Sequence, residues 1–169
     1  WWENDGDESF TEHTIEDDFD DATSVQAVDI DGDGDIDVLG TAERSDEVIW
    51  WENDGDESFE ERQMIAGFDG ASEAYAVDVN SDGRIDVVAS GFYEDEILLW
   101  TQTNYTWIYE TTAEQYYHGN LEISGNGQHL LVGTGHKAKL LNPKNGNEIS
   151  NVSLHSNSCY NTESVSISA

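Results

Sequence analysis

Nine residues, Asp29-Ile-Asp31-Gly-Asp33-Gly-Asp35-Ile-Asp37, place a carboxylate at every second position. Calcium is a hard cation that takes six to eight oxygen ligands in flexible geometry. Side chains at loop positions 1, 3, 5 and 9, with a backbone carbonyl at 7, can wrap one such ion. Glycine at position 6 lets the chain turn sharply. Asp29, Asp31, Asp33 and Asp37 are the candidate side-chain ligands, and Asp35 offers its carbonyl. A second loop repeats the pattern: Asp78, Asn80, Asp82 and Asp86 as side chains, with the Arg84 carbonyl at position 7. Asn80 and Arg84 lower its charge and predict weaker affinity. Four carboxylates crowded into nine residues repel one another, and a bound cation relieves that repulsion. Two calcium sites are therefore expected. The opening resembles an EF-hand, but position 12 should be a bidentate Glu. It is Gly40 in one loop and Ala89 in the other, and both flanks read as strand.

The elements that must hold these loops recur with a fixed period. The loops start 78 − 29 = 49 residues apart, and WWENDGDESF occurs at residues 1–10 and again at 50–59, with 50 − 1 = 49. A period in this range marks a repeat architecture whose units bury apolar faces against their neighbours. Runs rich in Val, Ile and aromatics alternate with Gly, Asp and Asn, which is a β pattern. The expected strands of one period are residues 24–29, 36–40, 47–52 and 58–65. Those of the next are 73–78, 85–91, 96–101 and 106–110. Asn53-Asp54-Gly55 is expected to form a tight hairpin turn, since Asp-Gly readily supplies positive φ. Four short antiparallel strands per repeat describe a β-propeller blade, so the expected fold class is all-β.

At this point the chain resembles a known family. AVDIDGDGDIDVLG and EVIWWENDGDESF are similar to FG-GAP/VCBS-type repeats, the calcium-bearing blades of integrin-like propellers. The resemblance covers roughly residues 1–100. It implies propeller blades with calcium between the first two strands of each blade, at the positions already named. Residues 101–169 are less acidic and resemble PQQ-like or WD-type blades more weakly, without a quinone-binding constellation. There, 119–134 reads as strand, turn, strand, followed by strands at 137–142 and 148–154 joined through 143–146. Glu122, Ser124, Asn126, Gln128 and Leu130 stand where the acidic positions would fall, so no calcium is expected in that blade. The domain reading is therefore 1–100 as calcium-binding blades and 101–169 as a further blade with the start of another.

The ends carry their own expectation. Residues 1–15 look like the outer two strands of a blade, and 163–168 like the innermost strand of one. Strand 163–168 is expected to pair with residues 1–15, with another subunit or with further chain, because unpaired edges are costly. The chain is read as a slice of a longer or processed protein.

Charge narrows the partners. Of 169 residues 37 are acidic and 6 basic, for a net charge of −31. Such a surface repels nucleic acid and anionic membrane, so neither is an expected partner. No apolar run reaches transmembrane length, and no membrane insertion is expected. Cys159 is single, which excludes an internal disulfide framework. His13, His118, His129, His136 and His155 lack the spacing of a transition-metal site. The Trp1-Trp2 and Trp50-Trp51 pairs are expected to split, one ring in a blade core and one between blades or at the surface. A sugar-stacking platform is the alternative role. Asn104 and Asn151 begin N-glycosylation sequons. No nucleophile elbow or phosphate-cradling loop is present, so the chain is not expected to be an enzyme. The leading functional expectation is an extracellular or cell-surface calcium-binding propeller segment for adhesion or for recognition of a protein or carbohydrate ligand. One alternative is a structural subunit of an extracellular homo-oligomer or filament built by strand addition. Another is the non-catalytic part of a secreted enzyme.

Overall fold

The computed structural model describes residues 1–92, 96–101, 104–110, 121–124, 126–134, 137–145 and 147–153. All the regular structure in it is antiparallel β. A two-stranded hairpin, β1 (Trp2–Asn4) and β2 (Phe10–Glu12), precedes three four-stranded sheets. The first sheet runs β3 (Ala22–Val28), β4 (Asp37–Ala42), β5 (Glu47–Asn53) and β6 (Phe59–Ala66). The second runs β7 (Ala71–Val77), β8 (Asp86–Gly91), β9 (Glu96–Thr101) and β10 (Asn104–Glu110). The third runs β11 (Leu121–Ile123), β12 (Leu130–Thr134), β13 (Lys137–Leu141) and β14 (Glu148–Ser153). Each is a simple meander, with every strand beside its sequence neighbours. The second sheet ends at Glu110, beyond the change in sequence character at Thr101. The expected strand at 163–168 lies outside the described residues.

The 49-residue period survives in the hydrogen-bond register. Ala22 pairs Ala42 and Ser24 pairs Thr41 across a bulge; Ala71 pairs Gly91 and Glu73 pairs Ser90 across the same bulge. Likewise Trp2 opposes Glu12 as Trp51 opposes Glu61. The turn at 53–58 is longer than a tight two-residue hairpin. Five residues separate β5 from β6, with positive φ at Gly55 (86°) and Glu57 (59°) and Asp54 N–H donating to Ser58 O at 3.2 Å.

Successive sheets pack face to face through period-two alternation. In β8, Val87 and Ala89 join Ile30, Leu39, Val48, Met64 and Phe68 in a core between the first and second sheets. Val88, from the opposite face of β8, joins Ile97, Leu99, Leu121, Leu130, Val132 and Leu141 between the second and third. Polar side chains stitch the first strands together. Gln26 donates to Ala76 O at 3.3 Å and accepts from Ala76 N–H at 2.8 Å. Thr23 and Thr41 donate to the carbonyls of Ala71 (3.0 Å) and Ser72 (3.1 Å). At the next interface Glu73 accepts from Leu121 N–H. Burial holds the Glu73 carboxyl above the usual Glu range, Leu121 N–H opposes this, and the charge of Glu122 adds to it.

Trp50 and Trp51 are neighbours on one strand and point to opposite faces, the split expected for this pair. Trp50 packs against the first core, and Trp51 meets Phe19 edge-on at 5.0 Å. Trp1 and Trp2 do not repeat this, since both are exposed. Neither Trp50 nor Trp51 gives its buried indole N–H a partner among the described residues.

Candidate metal centre

The first acidic loop joins β3 to β4, and the second joins β7 to β8. Each is tied by its own carboxylates. Asp29 accepts from Gly32 N–H (2.7 Å) and Gly34 N–H (3.1 Å), Asp31 from Asp33 N–H (3.1 Å), and Asp33 from Asp35 N–H (2.9 Å). The second loop repeats this. Asp78 accepts from Ser81 and Gly83, Asn80 from Asp82, and Asp82 from Arg84. Gly32, Gly34 and Gly83 adopt positive φ, and so does Ser81, which stands where the first loop has Gly32. The position-9 acids are buried and bind back across the loop: Asp37 accepts from Ile30 N–H at 2.9 Å, and Asp86 from Val79 N–H at 3.1 Å.

The loops differ where the charges meet. Oxygens of Asp29, Asp31 and Asp37 all lie within 4.8 Å of one another. Two oxygens that share a calcium ion at about 2.4 Å each can be no farther apart than twice that distance. Three hard carboxylates in this arrangement fit calcium by donor type and by spacing. Asp33 is not in the group; its Oδ1 is engaged by Asp35 N–H. In the second loop Asn80 replaces the central acid, and no three-acid group forms there among the described residues.

The electrostatics agree. Burial lifts the Asp31 carboxyl above its ordinary range, Asp33 N–H opposes this, and the charges of Asp33, Asp37 and Glu52 raise it further. In the second loop, N–H donors led by Gly83 hold Asp78 low. Burial raises Asp86; Val79 N–H opposes, and the charges of Asp82 and Asp78 add to the rise.

Two supports were not legible as part of the site. Asn53, read only as a turn residue, donates its backbone N–H to Asp37 Oδ1 at 2.9 Å and its amide to Ile36 O at 3.1 Å. The β5–β6 hairpin therefore braces the first loop. Gly55 in that hairpin suits its positive φ of 86°, and it lies close to the Asp35 carboxylate, where a Cβ would be 2.6 Å from Oδ2. The shared 49-residue offset of hairpin and loop was the available signal. The second loop is braced from the third sheet. Lys144 Nζ donates to Asn80 O at 3.1 Å, and a Cβ on Gly127 would collide with the Asp78 carbonyl.

The third sheet corrects an alignment. Glu122 and Leu130 were matched to loop positions 1 and 9, but both lie in strands. Ala76 and Val87 are paired and face the first core; Ile123 and Leu130 are paired on the side facing the second sheet. The separations are 87 − 76 = 11 and 130 − 123 = 7, so this turn is four residues shorter. Ser124 and Asn126 bond each other within it at 2.7 Å.

His13 contacts Glu3 at 3.2 Å and stacks on Trp1 at 4.3 Å. His118, His136, His155 and Cys159 lie outside the described residues. Asn104 and Asn151 fall in β10 and β14. No helix among the described residues is long and apolar enough to cross a membrane.

No curated protein matches the chain. Residues 29–89, which begin at Asp29 and span both acidic loops, match the family model of the FG-GAP-like repeat.

Proposed function

We propose that this chain is a calcium-binding β-propeller segment of an extracellular protein, acting in adhesion or in recognition of a protein or carbohydrate ligand. The observation that carries the reading is the convergence of Asp29, Asp31 and Asp37 oxygens within 4.8 Å. The four-stranded meanders stacked face to face suit propeller blades. The FG-GAP-like match supports a non-catalytic role.

Calcium, when bound, supplies the positive charge that lets the crowded carboxylates coexist. Asp29, Asp31 and Asp37 hold it in the first loop, with Asp33 and the Asp35 carbonyl available to complete the shell. Asp78, Asn80, Asp82, the Arg84 carbonyl and Asp86 form the second, weaker site. The protein's own work is to hold these oxygens: buried Asp37 anchors the loop to Ile30 and to the β5–β6 hairpin. An extracellular location suits the reading, since extracellular modules work at millimolar calcium.

Isothermal titration with calcium tests the reading. The chain should bind two ions of unequal affinity. Asp31→Asn should abolish or strongly weaken the tighter one, and Asn80→Asp should strengthen the weaker. Titrations unaffected by both substitutions would remove the metal assignment.

A further inference from the structure

A row of acids crosses the first sheet beside its acidic loop. Val38 opposes Trp51 and Leu39 opposes Trp50 in the β4–β5 ladder, so Asp37 and Glu52 come next in that register. On β6 the row continues, with Glu60 opposite Glu52. Period-two alternation puts Asp37 and Glu52 on the face of Leu39 and Trp50, towards the first core. Like charges directly opposite one another across strands destabilise a sheet, so such a row calls for cations. Arg62 supplies one at the outer end, its Nε donating to Glu52 at 2.6 Å and its Nη2 to Glu60 at 2.9 Å. At the inner end Asp37 is buried, and its bonds come from the neutral N–H groups of Ile30 and Asn53. Glu52 stands between the two ends. Its side chain is 28% exposed where that of Glu60 is 71%, so water screens it less.

Glu52 lies outside the group of Asp29, Asp31 and Asp37. Its charge still reaches that group: burial is the main cause that lifts the Asp31 carboxyl, and Glu52 is among the charges that add to it. The second sheet offers an internal comparison. Val87 opposes Trp100 there, so Asp86 and Thr101 are next in register, as Asp37 and Glu52 are in the first. Arg62 stands opposite Trp50, and its counterpart opposite Leu99 is Thr106. At these two register positions the first loop has an acid and a base, and the second loop has two threonines.

We infer that Glu52 sets the calcium affinity of the first loop from outside its ligand group, and that Arg62 moderates this effect by holding Glu52. The inference rests on the calcium reading of that loop and deepens it. Calcium bound by the three converging acids brings two positive charges beside Glu52, so the repulsion along the row becomes attraction when the ion enters. Arg62 opposes this in two ways. It draws the Glu52 carboxylate into a charge-assisted pair, and it adds a positive charge of its own near the ion. The two side chains are therefore an affinity control that the first repeat has and the second lacks.

Isothermal titration of the full chain with calcium at low ionic strength tests it, with circular dichroism melting in chelator as a separate reading of the fold. Glu52→Gln should weaken the tighter site by roughly three- to tenfold, the size expected of one unit charge a few ångströms from a solvated site. Arg62→Gln should strengthen the same site, and its effect should shrink in the Glu52→Gln background. Both effects should fade as ionic strength rises, and the weaker site should be unmoved. Thr101→Glu, which places an acid next to Asp86 in register, should tighten the weaker site. A tighter site indifferent to Glu52→Gln would overturn the inference, and so would an Arg62→Gln variant that binds more weakly. A weaker site unmoved by Thr101→Glu in a folded variant would also count against it decisively. Absence of calcium binding in the wild type would remove the calcium reading itself, and this inference with it.

Discussion

The same ten residues, WWENDGDESF, form β1–β2 at 1–10 and β5–β6 from 50, in the same register, yet live in different surroundings. Trp2 is 65% exposed and Trp51 is 5% exposed. Local sequence thus suffices to set the hairpin, its positive-φ turn glycine and its strand pairing. It does not set burial, which depends on β4 lying beside β5 and Phe19 lying against Trp51. The acidic loops make a related contrast: near-identical backbone ties, but three converging acids in one and an asparagine among them in the other.

The sharpest way to break the first contrast is to truncate both tryptophans. Trp51→Ala removes a packed ring and should cost about 3–5 kcal/mol in urea unfolding. Trp2→Ala removes an exposed one and should cost within about 0.5 kcal/mol. Equal losses would show that the hairpin at 1–12 is covered in solution.

Chelation sharpens the contrast between the loops. Ligand bound to the native state alone stabilises it by mass action, about 2.7 kcal/mol at a hundredfold excess over Kd. Adding a chelator should therefore lower Tm by several degrees in the wild type. The drop should be much smaller in Asp31→Asn than in Asn80→Ala, because the three-acid loop binds more tightly. Differential scanning calorimetry reads both.

With the metal removed, Asp37 should still matter and Asp33 should not. Asp37→Ala leaves the buried Ile30 N–H and the half-buried Asn53 N–H without an acceptor, a loss of about 1–3 kcal/mol. Asp33→Ala alters an exposed turn bond and should stay within about 0.5 kcal/mol by the same chemical denaturation. Similar losses for the two would place the loop's strength in its local turn and not in its attachment to the sheet.

The smallest effect concerns Glu73 between the second and third sheets. Its folded-state pKa lies above the ordinary value, so ionisation weakens the fold as pH rises through that raised pKa. The penalty is absent below the unfolded pKa, where both states are protonated. Glu73→Gln keeps an acceptor for Leu121 N–H without the charge. It should raise Tm slightly at neutral pH, with the gain fading as pH falls towards 4. A gain independent of pH would assign the effect to packing.

Much of this architecture was legible from the chain. Alternating Val, Ile and Ala against polar neighbours can only be half-buried strands, and the 49-residue offset aligned loops, strands and hairpins before any packing was known. The carboxylate spacing likewise marked both loops. Tertiary structure decided the rest, because it turns on which elements lie side by side. Asp37 gathers with Asp29 and Asp31, and Asp33 is not part of that group. Asn53 reaches back from a hairpin sixteen residues away to brace Asp37. The third turn loses four residues, which spacing along one strand could not reveal, since only the side facing the second sheet shows the correct register. Exposure of Trp2 beside burial of Trp51 is the plainest case: identical local sequence has identical local preferences, and burial is conferred by neighbours that local sequence does not contain.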